Sequence, residues 1–255
     1  MESLTVLQSW IPSGLDEGDR ITLDKPSPSE WVVGKLVNKH TYQSDLMRVH
    51  SYVCIQFECH NATNEKHGFM RVYVQVPHVG YEHADQATRA REATKFTPPE
   101  LDAYKFLTQY ASQNTPHLLA YEEGTQDTGG PVPGGHITWI VWEKVPGKSL
   151  GGPRYASTFW DMDREERDRV REAFLEQFPK LMKMGYFPDG AGPSNLVWDK
   201  ETGALYFVSF RDSKPFKAKG TFGKEWWPEF DLAKPPQRHY QWEIHYNGDV
   251  SAWTL

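Results

Sequence analysis

The chain has 255 residues, enough to bury a full core as one large domain or two smaller ones, and its 38% hydrophobic and 24% charged content suits a globular protein. A net charge of −6 argues against a surface built for nucleic-acid phosphates, and no stretch approaches the roughly 18 apolar residues of a membrane span. Two Cys make no disulfide framework, and none of the ten His falls in H-x-H or H-E-x-x-H spacing, so no metal site is expected.

The opening MESLTVLQSWIPSG lacks a basic segment followed by an apolar core. No secretory leader is expected, and the chain reads as cytoplasmic. Residues 1–30, with Pro12, Pro26 and Pro28, read as irregular. Strands are predicted over 31–37, over 50–59 (HSYVCIQFEC) and over 69–76 (FMRVYVQV), the last two forming a hairpin through a turn at 61–68. Pro77 ends the hairpin. Cys54 and Cys59 should point to opposite faces of a regular strand. Asn61-Ala62-Thr63 matches the glycosylation acceptor pattern, which reads here as chance.

Thr97-Pro98-Pro99-Glu100 predicts a helix start, with Thr97 as N-cap, proline in the first turn and Glu100 at the capping-box position. Leu101, Tyr104, Leu107 and Ala111 then form one apolar stripe. Strands over 116–121 and 136–142 flank a Gly- and Pro-rich loop, GTQDTGGPVPGG. Asp163 should cap a second helix with Val170, Phe174, Phe178 and Leu181 on one side, kinked or shortened by Pro179. Residues 185–213, GYFPDGAGPSNLVWDKETGALYFVSFRDS, read as a polar loop, a strand at 196–198, a turn at 201–203 and a strand at 205–210. A polar loop feeding a tight hairpin is a common way to fix side chains at a site. Residues 214–255 are aromatic and Pro-rich with weak periodicity, and the run 214–224 reads as a solvated basic loop.

The loop–Asn195–strand–hairpin block, with Trp142-Glu143-Lys144-Val145-Pro146-Gly147-Lys148-Ser149-Leu150 ahead of it, resembles the protein-kinase-like superfamily over residues 51–213. The second segment is similar to the hinge E-x-V-P-G-x-x-L of the aminoglycoside- and choline-kinase branch. Uncharacterised fungal kinase-like sequences look similar around QVP, VPGG, FWDM and NLVWD. The resemblance implies an α+β, two-lobed kinase-like fold: a small antiparallel-sheet lobe with one helix over 1–142, and a mainly helical, shortened lobe over 143–255. It also implies that Arg71, with Gln75 as second choice, stands where that family has its ATP-contacting Lys, and that Glu100 is the helix Glu pairing with it. Asn195 matches the metal-holding Asn, Ser209 stands at the metal-holding Asp, and Asp189 lies one residue before Gly190 at the base position. Glu143, Val145, Arg211 and Asp212 become candidate substrate contacts.

The departures bear on chemistry. Phosphoryl transfer rests on positioning and on Mg²⁺ held by carboxylate and amide oxygens. A serine hydroxyl is a poor ligand for that hard cation, and an Arg fork seldom replaces a Lys ammonium on the same phosphate. No G-x-G-x-x-G is present. The expectation is therefore a kinase-fold protein with degenerate motifs, its inter-lobe cleft repurposed for an apolar small molecule. It would be a secondary-metabolite enzyme performing a cyclisation, isomerisation or pericyclic step without cofactor. Two alternatives stand beside it: a pseudokinase scaffold with a protein partner, and an atypical ATP- and Mg-dependent small-molecule kinase using Asp189 and Asp212.

Each residue also has a plainer reading. Glu100 could serve only the capping box, Arg71 a surface, Asn195 the loop backbone, Asp189-Gly190 a turn, and Arg211–Asp212 an exposed pair. Trp226, Trp227, Trp242, Tyr246 and Trp253 read as packing, or else as the lining for an apolar ligand.

Overall fold

The computed structural model describes residues 10, 12, 14–46, 50–152, 157–217, 219–236 and 246–255. The chain divides into two compact units: Met1–Leu101 with Leu118–Lys144, and Asp102–His117 with Val145–Leu255. This departs from a single break at 142/143, because residues 102–117 fall with the second unit. The reason is packing: Tyr104 is buried, and its ring meets that of Phe210 at 5.8 Å.

The first unit is an antiparallel sheet. Its strands are β1 (Arg20–Leu23), β2 (Ser29–Tyr42), β3 (Tyr52–Asn61), β4 (His67–Gln75), β5 (Leu118–Thr125) and β6 (His136–Glu143), in the order β1-β2-β3-β4-β6-β5. The register places Gln56 opposite Arg71, and Arg71 opposite Ile140. Alternation along β3 and β4 then sorts the side chains. Val53, Ile55, Phe57, Met70, Val72 and Val74 join Trp10, Leu15 and Trp31 in one buried cluster. Each such aliphatic contributes about 1.5–3 kcal/mol. Gln56, Arg71, Tyr73 and Gln75 take the other face. Cys54 and Cys59 are both buried and unbridged, and fall on opposite faces of β3, as the spacing predicted. A short helix, α1 (Gln86–Ala90), follows, capped by the Asp85 side chain.

Helix α2 (Pro99–Gln109) crosses the division between the units, and it buries Leu101, Ala103, Tyr104 and Leu107. Proline at its first position has no N–H to lose. The predicted capping box is not formed: the Thr97 hydroxyl donates to Glu123 at 3.0 Å, and the Glu100 carboxylate is used elsewhere. Ala111 is not part of the apolar stripe. It lies past the helix end at φ 50°, where the Ser112 amide reaches back to the Leu107 carbonyl at 3.0 Å.

In the second unit α3 (Arg164–Met184) begins as predicted, with Asp163 Oδ1 accepting from the Glu166 amide at 2.8 Å. Pro179 does not shorten it; the helix runs on to Met184 and stops at Gly185, whose φ is 81°. Its Phe174 and Phe178 are fully buried and pack on Phe207 and Phe230, which are buried as well. The strands β7 (Lys148–Ser149), β8 (Leu196–Asp199) and β9 (Ala204–Phe207) form a small sheet in that order. The last strand ends at Phe207 rather than at 210. A Cβ on Gly147 (φ 105°) would lie 2.3 Å from the Trp198 carbonyl oxygen, so glycine alone lets the chain enter β7 here. Among its described residues this unit holds more loop and 3-10 turn than α-helix, so the expectation of a mainly helical part is not met. No helix among the described residues is long and apolar enough to cross a membrane.

Candidate functional site

The predicted residues gather in two places, one in each unit. In the first, Arg71 extends from β4 toward the start of α2. Its Nη1 donates to Glu100 Oε1 at 2.6 Å, and its Nη2 donates to Gln56 Oε1 at 2.5 Å. Its guanidinium lies 5.0 Å from the centre of the Trp142 ring. Tyr73, two residues along the strand, donates its hydroxyl to the other Glu100 oxygen at 2.9 Å. Asn38 adds a bond to Gln56 at 3.0 Å. Burial and the Glu100 charge push the Tyr73 phenol well above its ordinary value, so it stays a donor. Glu100 is 1% exposed and Arg71 8%. Arg71 is thus neither on the surface nor a stretched ligand arm: a carboxylate, an amide and an indole hold it on the sheet. Glu143, at the end of β6, pairs with Lys66 at 3.3 Å instead of joining this group.

In the second unit, the loop before β8 and the segment after β9 are laced together. Asn195 Nδ2 donates to the Asp189 carbonyl at 3.2 Å and to the Gly190 carbonyl at 2.8 Å. The Asp189 amide donates to the Ser209 carbonyl at 2.6 Å, and the Val208 amide to the Asn195 carbonyl at 2.9 Å. Arg211 reaches Asp189 at 3.6 Å and Asp212 at 3.1 Å. Ser209 sits at φ 69°, in the left-handed region that a non-glycine residue rarely takes. Val145 is half-buried at the unit's start and meets none of these residues through a described side-chain bond.

This donor set does not fit a Mg–nucleotide complex. Ser209 brings a neutral hydroxyl where the resemblance puts a carboxylate, Gly190 brings no side chain, and Asn195 braces the loop through its Nδ2 bonds to two carbonyls. In the first unit, both terminal nitrogens of Arg71 are taken by Glu100 and Gln56.

The aromatic residues proposed as a ligand lining are mostly structural. Trp226 packs on Phe178 at 5.2 Å, Trp227 is buried with Arg171 5.8 Å from its ring, and Tyr246 meets Trp253 at 5.5 Å. Trp242 lies outside the described residues. A cavity of about 720 Å³ does open elsewhere in this unit, floored by Trp198 and Met162 and rimmed by Pro146, Lys148, Asp161 and Glu201. Glu166 lies at its base. Burial works to raise this carboxyl, but the Trp198 indole and Lys200 overcome that and hold it below its usual range.

Gln56 and Tyr73 escape the sequence reading, which takes Trp142 only as the start of the hinge-like segment. The signal available was a polar side chain at alternate positions of otherwise apolar strands (VCIQF, MRVYV), which marks a polar face turned toward partners.

No family model matches the sequence, and no curated protein matches it. Among solved structures, the chain is similar to vaccinia related kinase 3, at 13% identity and a TM-score of 0.39, over 85% of this chain and 57% of that one. It is also similar to the kinase PK-1 of the Cydia pomonella granulovirus, at 11% identity and a TM-score of 0.43, over 76% of this chain and 59% of that one. The chain therefore spans less than two thirds of either kinase, and at these scores the likeness carries no functional argument.

Proposed function

We propose that this chain keeps a kinase-like frame without phosphoryl transfer and works by binding a small molecule. Support for the frame comes from the sheet order, from the buried Arg71–Glu100 pair linking a central strand to a helix, and from Asn195 ahead of a hairpin.

The observation that carries the loss of chemistry is Ser209. It stands where the resemblance puts the metal carboxylate, its hydroxyl is uncharged, and its backbone is tied to Asp189 at 2.6 Å. Without that carboxylate the electrostatic stabilisation on which phosphoryl transfer depends is missing. The 720 Å³ cavity floored by Trp198 and Met162 is of small-molecule size and supports the binding half of the reading. The chemistry open to such a protein is shape-driven, such as a cyclisation, isomerisation or pericyclic step.

The test has two arms. Incubation with labelled ATP, Mg²⁺ and a panel of hydroxyl and amine acceptors is expected to give no transfer. A thermal-shift screen against small apolar molecules is expected to give hits that weaken in a Trp198→Ala variant. Phosphate transfer abolished by Asp189→Asn would overturn the proposal in favour of an atypical kinase.

A further inference from the structure

At the end of the first unit's sheet, where β4 stops and β6 starts, the segment 91–97 is stitched down by buried polar groups. Gln75, fully buried, donates to the Glu92 carbonyl at 2.7 Å and accepts from the Thr94 amide at 3.0 Å. Glu92 Oε2 accepts from the His78 amide at 3.0 Å and lies 3.0 Å from His78 Nδ1. The other Glu92 oxygen is buried without a hydrogen-bond partner among the described residues. His136, the first residue of β6, is 4% exposed, and neither of its ring nitrogens makes a full hydrogen bond among the described residues. His50 stands edge-on to it at 6.0 Å, with its Nδ1 3.2 Å from the Thr94 hydroxyl. Phe96 of the segment packs on both rings, at 4.7 Å from His50 and 5.1 Å from His136.

Three imidazoles and the Glu92 carboxylate thus share this end of the sheet, and Glu123 of β5 accepts from the Thr97 hydroxyl of the segment at 3.0 Å. His50 is the titratable group that acts on His136, and His78 in turn acts on His50. Glu92 is committed to His78, while Arg91 and Lys95 of the segment itself are exposed. An imidazolium at His136 would carry two N–H donors into a buried place where only the Thr94 backbone favours the charged form. Burial accordingly pushes this ring down to about 4, against an opposing pull from the Thr94 backbone, and His50 adds to the push.

We propose that His136, with His50 beside it, forms an acid-sensitive latch whose protonation detaches segment 91–97 from the sheet. In the detached form the ring is hydrated and titrates near its ordinary value of about 6.5. The open form then binds more protons than the closed form as pH falls from neutrality, so acid favours opening.

Hydrogen exchange at pH 7.4 and 5.0, corrected for intrinsic chemical rates, tests this in the full chain. In the wild type, protection of 91–97 is expected to fall about tenfold at the lower pH, while the β3 amides 53–57 stay protected. In His136→Phe, which cannot titrate, the fall is expected to be less than about twofold, and His50→Gln should show an intermediate loss. Unchanged protection in the wild type, or an equal loss in His136→Phe, would overturn the latch. Should the Phe variant fail to fold, an NMR titration of the wild-type His136 ring decides: a ring titrating near 6.5 in the closed form removes the basis of the proposal.

Discussion

Arg71 Nη1 and Glu100 Oε1 meet at 2.6 Å with 9% and 1% of their side chains exposed, joining a central strand to the first turn of a helix. A pair this buried is costly to break, because removing one partner leaves the other charge desolvated. Arg71→Ala and Glu100→Ala are each expected to lower unfolding free energy by about 3–5 kcal/mol in urea titrations. The double change Arg71→Met with Glu100→Leu should recover most of that loss, since two apolar groups need no compensation. Single variants that cost under about 1 kcal/mol would mean that the pair is hydrated in solution.

Much of this arrangement could be read in the sequence. Alternation in FMRVYVQV and HSYVCIQFEC marks two paired strands, and Asp163 ahead of a 3.6-residue pattern marks α3. The pairing of Arg71 with Glu100 followed from the resemblance, and the structure contains it. Other features were hidden for identifiable reasons. Glu100 satisfies the local rule for a capping box, but a long-range Arg outcompetes the helix amide for its carboxylate. Pro179 obeys its local penalty only weakly, because Phe174, Phe178 and Leu181 on either side bury a continuous stripe that keeps the chain helical. The grouping of His50, His78 and His136 joins positions far apart in sequence, and no spacing rule brings them together.

Two glycines with positive φ make contrasting controls. At Gly147 a Cβ would meet the Trp198 carbonyl oxygen at 2.3 Å and the next amide nitrogen at 2.7 Å, whereas at Gly190 nothing lies within 4 Å. Gly147→Ala is therefore expected to cost well over about 2 kcal/mol, and Gly190→Ala only about 1 kcal/mol from backbone strain. Thermal melts of the two variants check this. Equal shifts would place the strain in φ alone rather than in the close approach of β7 to β8.

Trp198 and Glu166 give a pH-dependent readout in the second unit. The indole Nε1 donates to Glu166 Oε1, and Lys200 approaches the other oxygen at 3.1 Å. Burial acts to raise this carboxyl, and these partners lower it on balance. A carboxyl whose folded value lies below its unfolded one stabilises the fold above the unfolded value, and this stabilisation is lost as pH falls through the folded value. Trp198→Phe removes one donor, so part of that stabilisation disappears at neutral pH, a loss of about 1–3 kcal/mol for a hydrogen bond to a charged group. The gap between wild type and variant in urea midpoint should narrow from pH 7 to pH 3.5. A gap that stays constant would assign the loss to indole packing instead.

Ser209 offers the sharpest test of the proposal that phosphate chemistry is lost. Its φ of 69° is a conformation that Asp tolerates better than most residues, so Ser209→Asp should fold with little change in melting temperature. The new carboxylate supplies the hard oxygen ligand that a hydroxyl does not, and a Mg²⁺-dependent thermal shift with ATP should appear in the variant and not in the wild type. Turnover should still be absent, because Gly190 contributes no base. Adding Gly190→Asp asks whether base and metal ligand together suffice. Transfer by the single variant alone would show that Asp189 already acts as the base, and the frame would then be one substitution away from a kinase.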